Sequence, residues 1–295
     1  MCDTVKTYLD RRSAINHRRV KCCNSSRSLY CPECCALLVE PDNRPPPISL
    51  PYKLDIVLDE KNRAKSTGIH AKCLMNAQQR SEESTNSCAL YDLERGDALP
   101  NFNEESGGGT YILFPVPGES VPLASVASDI DRLVVLDCKW TKSSCKDRLE
   151  LRDLPKVHLT NPPPTSYFWR WHSEGPGMIS TIEAIYYASM EVAEHKEGVL
   201  KDEKEKLIHL LYLFAEQRIS IQRSCKISGE SLPYGEKGKE EQRALRRYKG
   251  TAKQARDKEM GRLLKERPRK EREGASKATG VSSLSRQVAN INIKS

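Results

Sequence analysis

The run RLVVL at residues 132–136 constrains this chain more than any other segment. Four apolar residues follow Arg132 without polar alternation. A strand with one wet face would alternate; this one suits a parallel sheet covered on both sides. Parallel strands need crossover connections, usually helical, so the run implies an α/β fold: a mostly parallel sheet sandwiched by helices. The chain continues as Asp137, Cys138, Lys139 and Trp140. The strand therefore delivers an acid and an indole to its carboxyl end, where ligands of open α/β sheets bind. The alternative is plainer: Asp137 starts a loop and Trp140 fills core.

The rest of the α/β pattern is readable around that strand. KLDIVL at residues 53–58 alternates and is β-rich, so it predicts a strand, and KSTGIHAKCLM after it predicts a turn entering a helix. Residues 78–109 are rich in Ser, Glu, Asn and Gly and read as a loop, within which CALYDL at 88–93 can form a short strand. TYILF at 110–114 is a strand stopped by PVPGES. Residues 123–131 suggest a short helix, and KVHL at 156–159 a further strand halted by NPPP. One helix begins at Ser180. Another, near 203–222, places Leu207, Leu210, Leu211 and Phe214 on one face at spacings of three and four.

Cysteine and charge are unevenly placed. Five of the eleven cysteines lie in CCNSSRSLYCPECC. No apolar signal segment precedes them, and the count is odd, which favours metal binding over a disulfide framework. Cys31 and Cys34 form a CPEC pair that can share one tetrahedral zinc, with Cys23 eight residues upstream. Cys22 stands directly beside Cys23, and adjacent cysteines do not easily reach one ion. The alternative is a set of free thiols. Of the formal charge of +8, an excess of seven falls in residues 236–273, where fifteen Lys and Arg face eight Asp and Glu. A basic appendage on a near-neutral domain is common in proteins that handle nucleic acid, although a solvated charged helix is the plainer reading. KERPRKER at 265–272 resembles a nuclear address. No run approaches the ~20 apolar residues of a membrane span. The expected organisation is a loosely ordered segment 1–20, a cysteine-rich zinc element and linker 21–50, an α/β domain 51–234, and a basic tail 235–295.

Two further segments carry polar chemistry. Ser180 and Glu183 form a capping box, and a helix start after EGPGM offers free amides to a carboxylate or phosphate. YFWRWH at 167–172 interleaves aromatics with Arg170, which suits base stacking and phosphate contact, or else core packing for Phe168 and Trp169. His70 in KSTGIHAK is a candidate polar contact, though a lone His is commonly structural.

The ordered set CPEC, KSTGIHAK, LFPVPGES, LDCKW, WRWH and STIEAIYYA resembles the DTW-domain proteins, a family similar to tRNA-uridine aminocarboxypropyltransferases. The likeness runs from about Cys23 to Ser228. The hallmark D-x-T-W stands here as Asp137, Cys138, Lys139 and Trp140, with Lys in place of Thr. Where relatives carry two CxxC pairs, the position three before Cys23 is Val20, which leaves Cys22 as the candidate fourth ligand beside Cys23, Cys31 and Cys34. The resemblance implies a SPOUT-like knotted α/β fold and S-adenosylmethionine as co-substrate. It implies transfer of the 3-amino-3-carboxypropyl arm to the ring imide nitrogen of a tRNA uridine, releasing methylthioadenosine. Asp137 and Trp140 are then the catalytic candidates. Pro115, Pro117, Gly118, Leu136, Ser180, Thr181 and Glu183 are expected to cradle the co-substrate, and Lys65, His70, Lys139 and Arg170 to contact tRNA. A methyltransferase acting on RNA and an inactive zinc-containing RNA-binding protein are the competing expectations. A nuclear location, with the cytoplasm as the alternative, completes them.

Overall fold

The computed structural model of the chain describes residues 2–11, 17–78, 88–102, 109–138, 147–163, 166–167 and 178–224. It opens on helix α1 (Cys2–Arg11), where a loosely ordered segment was expected. The reason is amphipathic: Val5 and Leu9, four apart, are buried in the main core while Asp3 and Lys6 stay outside. Two small antiparallel hairpins follow: β1 (Val20–Cys22) with β2 (Ser25–Arg27), and β3 (Tyr30–Cys31) with β4 (Ala36–Leu37).

The sheet is built from β5 (Lys53–Asp59), β6 (Cys88–Asp92), β7 (Thr110–Leu113), β8 (Val121–Pro122), β9 (Arg132–Cys138) and β10 (Lys156–His158). Its order is β6-β5-β9-β7-β10-β8, and every pairing is parallel. The expected strands are all present, including the short one at 88. One reading needs correction: β5 is not a half-wet alternating strand. Six of its seven residues are buried, Asp55 among them, because β5 lies inside the sheet with both faces covered.

The helices are α2 (Gly68–Gln78), α3 (Leu149–Arg152), α4 (Thr181–His195), α5 (Lys201–Lys206) and α6 (Tyr212–Ser224). One face of the sheet, through Leu54, Ile56, Leu58, Leu133 and Val135, packs in a core with Ile69 and Leu74 of α2 and Ile182 and Ile185 of α4. The other face, through Val57, Ile112 and Val134, packs on Leu99, Phe102, Leu151 and Leu154. This is the expected sandwich. The helix expected at 123–131 is instead two 3-10 turns, Leu123–Ser125 and Ala127–Asp129. The last expected helix is interrupted by the 3-10 turn Leu207–Leu211, and Leu207, Leu210, Leu211 and Phe214 are all buried there as their spacing required. Among the described residues, no helix is long and apolar enough to cross a membrane.

The strand that follows β5 in the chain, β6, lies on one side and the strand that follows β9, β10, lies on the other, so the winding reverses between β5 and β9. The carboxyl ends of β5 and β9 are where such a sheet opens a ligand site. The knot implied by the resemblance depends on how the connections after β9 and β10 thread. Residues 139–146, 164–165 and 168–177 of those connections lie outside the described residues, as do Lys139, Trp140 and Arg170 and the basic tail.

Candidate functional site

Asp137 sits one residue from the end of β9, buried, on the sheet face covered by α2 and α4. Three donors converge on its carboxylate. Its Oδ2 accepts from the Ser66 hydroxyl and, at 2.8 Å, from the Gly68 amide at the start of α2. Its Oδ1 accepts from the Thr181 hydroxyl at 2.7 Å, at the start of α4. The carboxylate thus lies at two helix N-termini, where negative charge is favoured. A further bond joins the helix starts directly: the Ile182 amide donates to the Thr67 hydroxyl at 3.3 Å.

Gly68 is required for this approach. A Cβ there would lie 2.6 Å from Asp137 Oδ2 and 3.1 Å from Ile56 Cγ2. Burial, the largest influence, lifts the Asp137 carboxyl above its ordinary range, against the hydrogen bonds from Ser66, Thr181 and Gly68 that pull it down. A carboxylate has about four acceptor positions; among the described residues two donors meet Oδ2 and one meets Oδ1, which leaves an acceptor position on Oδ1. An anchored acid with a raised pKa and one open acceptor position can hold or take a proton from a substrate N–H.

Glu183 organises the adjoining half. It is buried and accepts from Ser166 Oγ at 2.6 Å, Tyr167 N at 2.8 Å, Ser180 N at 2.9 Å and Ser180 Oγ at 2.7 Å. The capping box read from the sequence is present, and the same carboxylate also pins Ser166 and Tyr167 to the helix start. Four donors of the protein converge on it, so its place is that of an organiser of the wall.

The structure gathers the other expected residues unevenly. Thr181 meets Asp137, and Ser180 before it bonds to Glu183. Pro115, Pro117 and Gly118 form an exposed turn at the carboxyl end of β7, closed by Glu119 and Ser120 amides on Val116 O, with Gly118 at φ +78°. Leu136 is half-buried and packs with the opposite core, so its side chain faces away from Asp137. Lys65 is exposed in the turn just before Ser66. His70 is fully buried, edge-on to Tyr30 with its Nε2 3.2 Å from the Tyr30 hydroxyl. Sequence reasoning passed over Ser66, Thr67 and Gly68. The visible signal was a Ser-Thr-Gly turn before a helix; the partner, Asp137, is 71 residues away from Ser66.

The cysteine element forms a candidate metal centre. The ligand atoms of Cys22, Cys23, Cys31 and Cys34 all lie within 4.8 Å of one another, and Cys22 and Cys34 sulfurs are 3.5 Å apart. Tetrahedral zinc with bonds of about 2.3 Å would set sulfurs roughly 3.8 Å apart, so the four thiols fit. The obstacle raised by two adjacent cysteines is removed by the backbone. Cys23 and Asn24 form the two-residue loop of the β1–β2 hairpin with φ of +45° and +61°. Both positive φ values match the mirror-image turn of tight hairpins, which swings Cys23 back toward Cys22. Without glycine this costs on the order of 1 kcal/mol per residue, a strain that metal bonds would offset. Cys35 lies outside the set, buried, accepting from Arg63 at 3.5 Å. The same Arg63 donates to Pro32 O at 2.7 Å and pairs with Asp92, bolting the element to the end of β6. Tyr30 links it onward to His70 of α2 and, at 3.1 Å, to Gln217 of α6.

Among solved structures, the chain is similar to the S-adenosylmethionine-dependent rRNA:acp-transferase Tsr3 from Vulcanisaeta distributa, at 18% identity over 59% of this chain and 79% of that one, with a TM-score of 0.33. A likeness at that level fixes neither fold nor function. Among curated proteins no significant match is found. The model of the DTW domain matches residues 28–219, well over half of the chain, and spans Cys31, Cys34, Asp137 and the start of α4. By that match, and with the acid of the hallmark standing at the carboxyl end of a central strand, the chain belongs to the DTW domain family.

Proposed function

We propose that this protein is an S-adenosylmethionine-dependent RNA-modifying transferase that moves the 3-amino-3-carboxypropyl arm to the imide nitrogen of a tRNA uridine. The observation that carries the reading is the Asp137 node: a buried acid, tied to two helix starts at the reversal of a parallel sheet, with one acceptor position on Oδ1 that no described residue fills. Membership of the DTW domain family supports it.

The co-substrate, when bound, supplies an activated carbon next to a sulfonium, so the leaving group needs little help. The residues of the chain then have two tasks, orientation and removal of one proton. Asp137 accepts the uridine imide N–H at Oδ1 while Ser66, Gly68 and Thr181 hold the carboxylate still. Its raised pKa makes it a stronger base than an ordinary carboxylate. The turn at 115–118 and the residues Ser180 and Thr181 border the co-substrate. Leu136 contributes through its backbone, its side chain facing the other core. Trp140 screens the site from water, and Lys65, Lys139 and Arg170 meet tRNA phosphates. His70 acts from within, holding α2 through Tyr30. Cys22, Cys23, Cys31 and Cys34 hold a structural zinc that fixes the element on which Tyr30 and Arg63 depend. We assign the tail 235–295 to non-specific RNA contact and a nuclear address.

The test uses two labelled forms of the co-substrate, one carrying label in the carboxyl group and the other in the methyl group. Incubated with tRNA, the full chain should place the carboxyl label in RNA and leave the methyl label in the small-molecule fraction. Methyl label in RNA would establish a methyltransferase instead, and no label in RNA would favour an inactive binding protein.

A further inference from the structure

Arg218 of α6 is a cation with an unusual setting. It is 6% exposed, and its Nε is sealed from solvent with no hydrogen-bond acceptor. Among the described residues none of its nitrogens has a hydrogen-bond or ion-pair partner. What it has is a face: the guanidinium lies over the Tyr167 ring, 5.5 Å from the centroid. Burying a guanidinium without a hydrogen-bonded anion costs several kcal/mol, far more than ring stacking of about 1–2 kcal/mol returns.

The nearby acids do not resolve this. Arg218 feels the charges of Asp10 and Glu183, after the burial that is the chief influence lowering its own pKa. Glu183, however, accepts from Ser166, Tyr167 and Ser180, and it acts on Arg218 through charge without a hydrogen bond. Tyr167 donates its amide to Glu183, the third residue of α4, and two residues before it Thr181 binds Asp137. The stacked guanidinium therefore borders the start of the helix that positions the candidate base. The ring contact restrains the guanidinium, a planar fork whose edge carries parallel N–H donors matched to two coplanar oxygens.

We infer that Arg218 is a binding residue for the carboxylate of the aminocarboxypropyl arm. This rests on the function proposed above and deepens it: the arm ends in a carboxylate, and the reacting carbon lies three bonds from it. An enzyme that moves the arm must fix that end so that the reacting carbon, and not the methyl, meets the nucleophile. A buried planar cation beside the α4 start does so.

The experiment measures equilibrium affinity of the zinc-loaded full chain for S-adenosylmethionine and for methylthioadenosine, which shares the nucleoside and sulfur but lacks the arm. The variants are Arg218→Met, which keeps the packing on Tyr167, and Arg218→Lys, which keeps the charge without the fork. We expect Arg218→Met to weaken S-adenosylmethionine roughly tenfold to a hundredfold, the range for a hydrogen-bonded charge, with methylthioadenosine changed less than about twofold. Arg218→Lys should fall between. Equal loss of both ligands would show a structural role and overturn the inference, as would unchanged affinity for S-adenosylmethionine. Loss confined to tRNA affinity would reassign Arg218 to an RNA phosphate and overturn it too. If the wild-type chain binds no S-adenosylmethionine, the proposed function itself fails; if it binds and the variants bind equally well, only the inference does.

Discussion

At the scale of single residues, the account turns on Asp137 and the groups that hold it. Asp137→Asn can keep the node: the amide oxygen takes Ser66 and Gly68, and the amide NH2 donates to Thr181 Oγ1, a hydroxyl that can also accept. We expect a folded protein whose transfer rate falls roughly 10²–10⁴-fold, measured under single turnover. Asp137→Ala leaves the Gly68 amide and two hydroxyls without their buried acceptor, and chemical denaturation should show a loss of roughly 3 kcal/mol. The raised pKa gives these changes a pH signature. An acid whose folded-state pKa is above its unfolded one binds its proton more tightly in the native state. Its contribution to stability is therefore full at low pH and is lost as pH rises through the folded pKa. The same shift moves the acid limb of the kcat/KM profile above the ordinary carboxylate range, and Asp137→Asn should abolish that limb. Gly68→Ala offers an independent check. Alanine normally favours a helix by about 1 kcal/mol over glycine, but here its Cβ would strike Asp137 Oδ2. Lower stability and lost activity are expected; a more stable, fully active variant would contradict the geometry.

At the scale of elements, the cysteine hairpins and the two helix starts act together. A metal held by the four cysteines would fix β3 through Cys31; Tyr30 of β3 meets His70 of α2; the start of α2 meets Asp137. Zinc removal should therefore lower both stability and turnover, though none of the four candidate ligand cysteines is among the hydrogen-bond partners of Asp137. Metal analysis should find one zinc per chain, and Cys22→Ser should reduce retention as much as Cys31→Ser does. Cys22→Ser without loss of metal would remove Cys22 from the ligand set. This element also shows where sequence reading reached its limit. CPEC was legible because two thiols three positions apart suit one ion. That adjacent Cys22 and Cys23 face one point was not, because it follows from left-handed backbone at Cys23 and Asn24, residues with no glycine to announce it. Likewise β9 was legible from its unbroken apolar run, and the capping box from Ser180 and Glu183. The partnership of Ser66, Gly68 and Thr181 with Asp137 joins segments from three parts of the chain and exists only once the sheet has formed. His70 read as a candidate polar contact or a structural residue; its burial against Tyr30 is imposed by the cysteine element, which local periodicity cannot see.

At the scale of the whole molecule, the charge separates from the fold. An excess of seven positive charges lies in residues 236–273, whereas the acid and all eleven cysteines precede residue 236. If the tail contacts RNA phosphates, deleting residues 236–295 should weaken tRNA binding and flatten its salt dependence, since fewer counterions are released on association. Equal affinity and parallel salt slopes in both forms would confine RNA recognition to the domain. Neither the tail nor the node states which bond to the sulfonium breaks, and that is the central claim. The most direct measurement is the nucleoside by-product, quantified against modified tRNA with the purified wild-type chain and S-adenosylmethionine. The account predicts methylthioadenosine in one-to-one proportion with modified uridine and no S-adenosylhomocysteine. S-adenosylhomocysteine formed in proportion to modified tRNA would contradict it.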